Sequence, residues 1–323
     1  MLTDLLLTVL GLILLIGGGE ALVRGASRLA RRIGAGELLI GLTVVAFGTS
    51  TPELAVNISA VLNDRSAMAV SNVVGSNLAN IGLILGLCAL LRPLVIHAQV
   101  VRREIPMMVV ISAAALLLAR DAVLGGFLRH FDAADGLILL LFFGIFIYYS
   151  LGGRALTADV GEPAEDANPD SIGKPPDGIA ASLFLIAAGL ALLVAGGRTT
   201  VSGATGLAAG FGVADHIIAL TLVAVGTSLP ELATSIIAAV RGHTDMAVGN
   251  VVGSNIFNLG FVLGAVALIR PLSLPAGGWA DLWMMTALAA TLLPLAWSHQ
   301  LRLVRWEGGM LLIAYAAYLI LRI

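Results

Sequence analysis

Long apolar runs separated by short polar breaks recur from one end of the chain to the other. A run of about 20 apolar residues is what an α-helix needs to cross the ~30 Å hydrocarbon core of a bilayer. The pattern predicts ten such helices, at 5–29, 37–62, 67–91, 105–119 and 133–151, and then at 179–207, 215–240, 245–269, 279–297 and 303–321. Between the fifth and sixth lies the one long polar stretch, with Glu162, Pro163, Glu165, Asp166, Pro169, Asp170, Pro175 and Pro176. Proline and acid at that density resist regular structure, so the stretch reads as a linker. The chain divides into residues 1–151, a linker at 152–178 and residues 179–323. The first run starts almost at Met1 and has no A-x-A-like cleavage site after it, so it is expected to be a retained helix and not a signal peptide.

The two halves repeat. Residues 43–86 read TVVAFGTSTPELAVNISAVLNDRSAMAVSNVVGSNLANIGLILG, and residues 221–264 read TLVAVGTSLPELATSIIAAVRGHTDMAVGNVVGSNIFNLGFVLG. Adding 178 to each number in the first copy gives the second without a gap, and about 25 of the 44 positions are identical. Weaker matches flank this core: Gly18-Gly19 and Gly25-Ala26 with Gly196-Gly197 and Gly203-Ala204, and Arg92-Pro93-Leu94 with Arg270-Pro271-Leu272. Five helices is an odd number, so the second half must enter the membrane from the opposite side to the first. The expected fold is therefore all-α and polytopic, with ten transmembrane helices in two inverted five-helix repeats. In that plan a binding site sits at the midplane between the halves.

Composition supports this reading. Hydrophobic residues make up 59% and charged residues 12% of the chain, against ~25% charged in an ordinary soluble domain. Orientation depends on where Lys and Arg lie. With the N-terminus outside, Arg24, Arg28, Arg31, Arg32, Arg92, Arg102, Arg103, Arg154, Lys174, Arg241, Arg302 and Arg305 fall inside. Only Arg65, Arg120, Arg129, Arg198, Arg270 and Arg322 fall outside. This predicts an outside N-terminus and a cytoplasmic linker. Cys88 is the single cysteine, so no internal disulfide can form, and its apolar surroundings indicate packing.

Each repeat carries one carboxylate in an apolar setting, Glu53 and Glu231, within A-x-G-T-S-x-P-E. Acids inside a membrane are expensive, and two at equivalent positions point to function. Pro52 and Pro230 lack an amide hydrogen and clash with the preceding turn. Together with Gly48 and Gly226 they should break their helices there. The freed carbonyls are tolerated at membrane depth only around a polar cavity. Ser76 and Asn80 share one helix face, as do Ser254 and Asn258, and Gly75 and Gly253 should let the facing helix approach. Folding the halves together would gather two Glu, the pairs Thr49-Ser50 and Thr227-Ser228, two Ser and two Asn. Such all-oxygen groups suit a hard cation, and two carboxylates match the charge of one Ca²⁺. No cysteine pair or motif histidine offers the softer ligands of Zn²⁺ or Cu. For Ser76, Ser254, Asn72, Asn77, Asn250 and Asn255, interhelical hydrogen bonding is an equal alternative to ligation. Glu20 should pair with Arg24 one turn on. His97, His216 and His243 are expected to be solvated at helix ends, and Asp281 to be a helix-end charge.

At these residues the chain resembles the cation/calcium exchanger superfamily, in its prokaryotic sodium/calcium exchanger-like branch. The G-T-S-x-P-E and G-N-V-x-G-S-N blocks resemble that family's paired repeats, and the resemblance spans the whole chain. It implies a multi-pass inner-membrane antiporter that exchanges Na⁺ for Ca²⁺, three for one. Glu53 and Glu231 would ligate Ca²⁺ with the backbone oxygens of Thr49 and Thr227. Na⁺ would use Ala46, Thr49, Ser50, Ser76 and Asn80, with Ala224, Thr227, Ser228, Ser254 and Asn258. The first and sixth helices would slide past the rest. Asn258 stands where several relatives carry Asp. Exchangers coupled to protons usually show G-N-x-x-E, which weighs against Ca²⁺/H⁺ antiport, the runner-up. A cation channel is a further reading, though a channel usually needs a symmetric oligomer, whereas one chain here holds both halves of the site, so a monomer suffices. No nucleophile–base constellation marks an enzyme. No cofactor and no nucleic-acid partner are expected; the partners are the transported ions and the bilayer.

Overall fold

The computed structural model describes residues 1–119, 130–157, 178–211, 226–298 and 300–322, with side chains as far as 150 in the second of these segments. Helix α1 spans Leu2–Ile33 and stops at Gly34, whose left-handed φ of 63° lets its amide reach back to the Ala30 carbonyl. Helices α2 (Glu37–Thr49) and α3 (Thr51–Leu62) are one apolar segment bent by 40° at Ser50. Pro52 sits in the first turn of α3, where its missing amide hydrogen costs nothing. The expected break is therefore present in the first repeat.

Helix α4 spans Ser66–Leu91, α5 Ile105–Leu118 and α6 Ala133–Thr157. Helix α5 is continuous with a π-helical turn at Val100–Glu104, so the helix expected from 105 starts earlier. Helix α6 extends six residues past the expected 151. The second half follows with α7 (Ile179–Gly210), α8 (Leu229–Arg241), α9 (Thr244–Ile269), α10 (Gly278–Trp297) and α11 (Arg305–Arg322). Among the described residues, six helices are long and apolar enough to cross a membrane, and seven spans result if the bent pair α2–α3 counts as one. The break expected before Glu231 is present too: Thr227 and Ser228 form a turn ahead of α8, and Ser228 has nearly the backbone angles of Ser50. The start of the helix expected from 215, with His216, lies outside the described residues.

Burial ranks the helices. The apolar windows of α4 and α9 are 78% buried, whereas those of α1, α6, α7 and α10 are only 28–33% buried. The repeated helices α4 and α9 are thus at the centre, and α1, α6, α7 and α10 form a jacket whose outer faces suit lipid. In the jacket, α1 and α7 lie against each other with their backbones nearly touching. A Cβ added at Gly18 would stand 2.8 Å from the Gly189 carbonyl oxygen, and one at Gly196 2.8 Å from the Leu15 amide nitrogen. The small-residue matches flanking the repeat explain that approach.

The copies also exchange partners at the ends of the central helices. After α4, β1 (Leu94–Val95) pairs antiparallel with β4 (Arg302–Leu303); after α9, β3 (Leu272–Ser273) pairs antiparallel with β2 (His130–Phe131). Leu94 and Leu272 are equivalent positions, so each half's central helix is tied by a two-residue ladder to a segment outside the repeat core.

Candidate functional site

Both glutamates lie at the start of a helix that follows a break, in the first turns of α3 and α8. Both are buried, with 1% of Glu53 and none of Glu231 exposed. The bend at Ser50 turns its hydroxyl away from its own repeat, and Ser50 Oγ donates to Glu231 Oε1 at 3.0 Å. The two carboxylates are near enough for their charges to act on each other. Ser228, the counterpart of Ser50, lies beside Glu53, but its hydroxyl points to Ser76 Oγ at 3.2 Å.

A ring of amides fastens the copies together around this pair. Thr49 Oγ1 donates to Asn250 Oδ1 at 3.2 Å, and Thr227 Oγ1 donates to Asn72 Oδ1 at 3.3 Å. Asn80 Nδ2 donates to Asn255 Oδ1 at 3.0 Å, and Asn258 Nδ2 donates to Asn77 Oδ1 at 3.2 Å. Each bond maps onto its mate when 178 is added to one residue and subtracted from the other. Asn72, Asn77, Asn250 and Asn255 therefore act as cross-braces, the interhelical alternative of the two open to them. Their signal was their place in the repeated G-N-V-V-G-S-N block, but the partners lie in the other copy, which spacing within one helix does not reveal.

With donors committed to bracing, the oxygens are left over. Glu53 Oε1 and Oε2, Glu231 Oε2, Asn80 Oδ1, Asn258 Oδ1 and Ser254 Oγ are buried and make no hydrogen bond. A buried oxygen with no donor costs about 1–3 kcal/mol, and two adjacent buried carboxylates cost several times that. A cation that takes oxygen ligands would satisfy these oxygens. Thr49, Ser50, Ser76 and Ser228 are buried with them, and the Ala46 carbonyl, at the end of the broken segment, accepts from Thr49 Oγ1 at 3.3 Å. Of the residues expected from the sequence, the structure gathers both glutamates, Ala46, Thr49, Ser50, Ser76, Asn80, Thr227, Ser228, Ser254 and Asn258. Ala224 lies outside the described residues. Among the described residues no group of three or more His, Cys, Asp or Glu side chains is disposed to hold a metal, and the other polar groups buried around the two glutamates are neutral hydroxyls and amides.

Cavities lie at both ends of the molecule, and one of about 510 Å³ at the end of His243 is lined by Glu37, His97, Arg102 and Asp245. Two cavities of about 620 and 300 Å³ share Val56 and Arg198 in their linings; the larger reaches Asn63 and Arg65 at the rim, and the smaller reaches Pro52, Thr227 and Pro230 beside the glutamates. At the other end, His243 corrects the expectation made for it, whereas Asp281, at the end of Asn63 and Arg65, is in the first turn of α10 as expected. His243 is half-buried, with Nδ1 2.8 Å from Glu37 Oε2 and 3.3 Å from Ser27 Oγ. Asp281 is nearly buried and accepts hydrogen bonds from Tyr318 and Arg322, tying α10 to α11. Gly253 meets the expectation of close approach, since a Cβ there would lie 2.6 Å from the Leu42 carbonyl oxygen. At Gly75 nothing comes within 4 Å among the described residues.

Comparison with known proteins agrees with this geometry. The family model described as sodium/calcium exchanger protein matches residues 3–152 and 181–323. The sodium/calcium exchanger MaX1 of Methanosarcina acetivorans is 32% identical over 98% of this chain and 97% of its own. The inner membrane protein YrbG of Escherichia coli is 38% identical over 82% of this chain and 79% of its own. A solved structure of the sodium-calcium exchanger NCX_Mj superposes with a TM-score of 0.83 at 30% identity, covering 99% of each chain.

Proposed function

Because the chain belongs to the sodium/calcium exchanger protein family, we propose that it is a multi-pass antiporter that moves Ca²⁺ against Na⁺ through the Glu53–Glu231 site. The reading takes the described helices as parts of ten spans in two inverted repeats, with the N-terminus outside and the 152–178 linker in the cytoplasm. The observation that carries it is the pair of buried carboxylates set among oxygens that accept no hydrogen bond. Two negative charges balance one Ca²⁺, and the surrounding hydroxyl, amide and carbonyl oxygens replace its water. Na⁺ takes the same kind of oxygens with half the charge, so the two ions compete for one region, and alternating exposure of that region makes competition into exchange. Ala46, Thr49, Ser50, Ser76 and Asn80 of the first repeat, and Ala224, Thr227, Ser228, Ser254 and Asn258 of the second, are the neutral ligands in this scheme. No enzymatic step and no cofactor enters it.

The test is ⁴⁵Ca²⁺ uptake into proteoliposomes under an imposed Na⁺ gradient and, separately, an imposed pH gradient. Uptake driven by the Na⁺ gradient alone is expected. Uptake driven only by the pH gradient would replace Na⁺ with H⁺ as the coupling ion, and uptake with neither gradient at channel-like rates would remove the antiport reading.

A further inference from the structure

The two ends of the molecule are related by the repeat, yet they are not in the same state, and the difference falls on four residues. Glu20 in α1 and Arg198 in α7 are equivalent positions, as are Asn63 after α3 and Arg241 at the end of α8. At one end Arg241 grips Glu20 with both arms, Nε to Oε2 at 3.1 Å and Nη2 to Oε1 at 2.9 Å, and Arg24 adds a bond to Oε1 at 2.6 Å. Such two-pronged pairing is the strong geometry of an arginine–carboxylate contact. Beneath it the helices touch: a Cβ at Gly19 would lie 2.6 Å from Ile237 Cδ1.

At the other end the equivalent elements stand apart. Gly197, the counterpart of Gly19, has nothing nearer than 3.7 Å to its Cβ position, and neither Ala55 nor Ser59, the counterparts of Ala233 and Ile237, is among its neighbours. Ala55 and Ser59 are exposed, whereas Ala233 and Ile237 are partly covered. Arg198 has no ion-pair partner among the described residues and lines the 620 Å³ cavity with Asn63. Asn63 spends its amide nitrogen on the Ser59 carbonyl at 2.7 Å.

We propose that the Glu20–Arg241 ion pair is a one-sided latch that holds α1 against α8 and keeps the cytoplasmic path shut, and that Arg198 closes on Asn63 when the molecule opens the other way. This rests on the transport reading above. The glycine-to-backbone contacts join α1 and α7 into one unit, so a displacement that lifts Gly19 from Ile237 brings Gly197 down on Ser59. Exchange of the repeats' conformations is what inverted halves permit. The closing contact is charged and bidentate at one end, while at the other an arginine meets a neutral amide. The balance between the two states is therefore tilted toward the one seen here. Glu20 and Arg241 touch no transported ion; they are positioning residues that act through the helices they join.

The experiment reads access, not flux. In a Cys88→Ala background, Ser59→Cys reports the open path and Ile237→Cys the shut one, each probed from its own side with a membrane-impermeant maleimide. In the otherwise native protein, Ser59→Cys should react much faster than Ile237→Cys. Glu20→Gln should speed modification of Ile237→Cys by about threefold or more and slow that of Ser59→Cys, as a shift between two states requires. The charge swap Glu20→Arg with Arg241→Glu should restore both rates. Asn63→Asp gives Arg198 the acid it lacks and should act in the same direction as Glu20→Gln. Unchanged rates in Glu20→Gln and Asn63→Asp would overturn the latch. So would a rise at both cysteines, because that is loosening and not a shift. None of these rates depends on which ion is carried, so the latch can fail while the transport reading stands, and the reverse.

Discussion

Asn250 shows how a single side chain serves the site without being a ligand. Its Oδ1 accepts from Thr49 and its Nδ2 donates to Ser235 Oγ at 2.9 Å, so it holds the broken segment of one repeat against α8 and α9 of the other. Asn250→Ala strands the buried Ser235 hydroxyl, at about 1–3 kcal/mol, leaves Thr49 Oγ1 only its bond to the Ala46 carbonyl, and frees the backbone around Thr49. Both a lower unfolding temperature in detergent and a weaker apparent Ca²⁺ affinity are expected. Glu53→Gln and Glu231→Gln should behave differently. Each is close to isosteric and removes a buried charge, so thermal stability should hold or rise while Na⁺-driven ⁴⁵Ca²⁺ transport is nearly abolished. Near-native transport by either glutamine variant would place the site elsewhere. The contrast also marks what was legible in the sequence. Glu53 and Glu231 stood out because a carboxylate in an apolar run is costly whatever surrounds it. The bracing role of Asn72 and Asn250 did not, because an amide is at home both as a ligand and as a brace, and only the partner tells which.

Among the elements, the break at Ser50 was legible from Gly48 and Pro52, since proline's missing donor acts within one turn. The π-helical turns at Gly41–Val45, Asn80–Leu85 and Phe257–Leu263 were not. A π turn differs from an α turn by one residue per hydrogen-bonded ring, and no residue type enforces it; packing does. Two of these turns begin at or one residue before Asn80 and Asn258, where the turn sets which way the amide points. Close helix packing is decided by glycine in the same region. A Cβ on Gly253 would stand 2.6 Å from the oxygen of Leu42, within the first of these π turns, and 2.9 Å from Ala46 Cβ. Alanine is the better helix former by about 0.5–1 kcal/mol, but overpacking against a backbone costs about 1–3 kcal/mol. Gly253→Ala should thus lose stability and push the Ala46 carbonyl off its position. Gly144→Ala, on the exposed face of α6 with nothing within 4 Å of the new Cβ, should be neutral or slightly stabilising. Thermal unfolding of the two variants in parallel measures the difference, and equal behaviour would mean that α9 and α2 can separate at no cost.

Across the whole molecule, the doubled motif was readable at once, and the inverted plan proposed above follows from the odd number of helices that the sequence predicts in each half. The difference between the two ends was not readable, since a sequence with two related halves specifies both of their conformations and leaves the choice to contacts such as Glu20 with Arg241. The same two-carboxylate site fixes how transport should respond to voltage. Glu53 and Glu231 contribute about −2, so the site carrying one Ca²⁺ is near neutral, and the site carrying n Na⁺ has a charge of about n − 2. Two Na⁺ would make exchange silent to voltage; three, the number implied by the family resemblance, would leave about +1 on the Na⁺-loaded form. One Ca²⁺ takes about six to eight oxygens, so the neutral oxygens around the glutamates, including Ser254 Oγ, Asn80 Oδ1 and Asn258 Oδ1, serve either ion, and the number three rests on the resemblance. A potential negative on the cytoplasmic side then draws the Na⁺-loaded form inward by about 2.3 kcal/mol per charge per 100 mV, so it should accelerate Ca²⁺ exit and oppose Ca²⁺ entry. The potential can be set in proteoliposomes with a K⁺ ionophore, and again with a second potential-setting ion to exclude a direct effect of K⁺. In both cases the initial ⁴⁵Ca²⁺ flux should shift with that sign. A flux indifferent to potential under both conditions would fix the exchange at two Na⁺ per Ca²⁺ and confine the Na⁺ ligands to the immediate shell of the two glutamates.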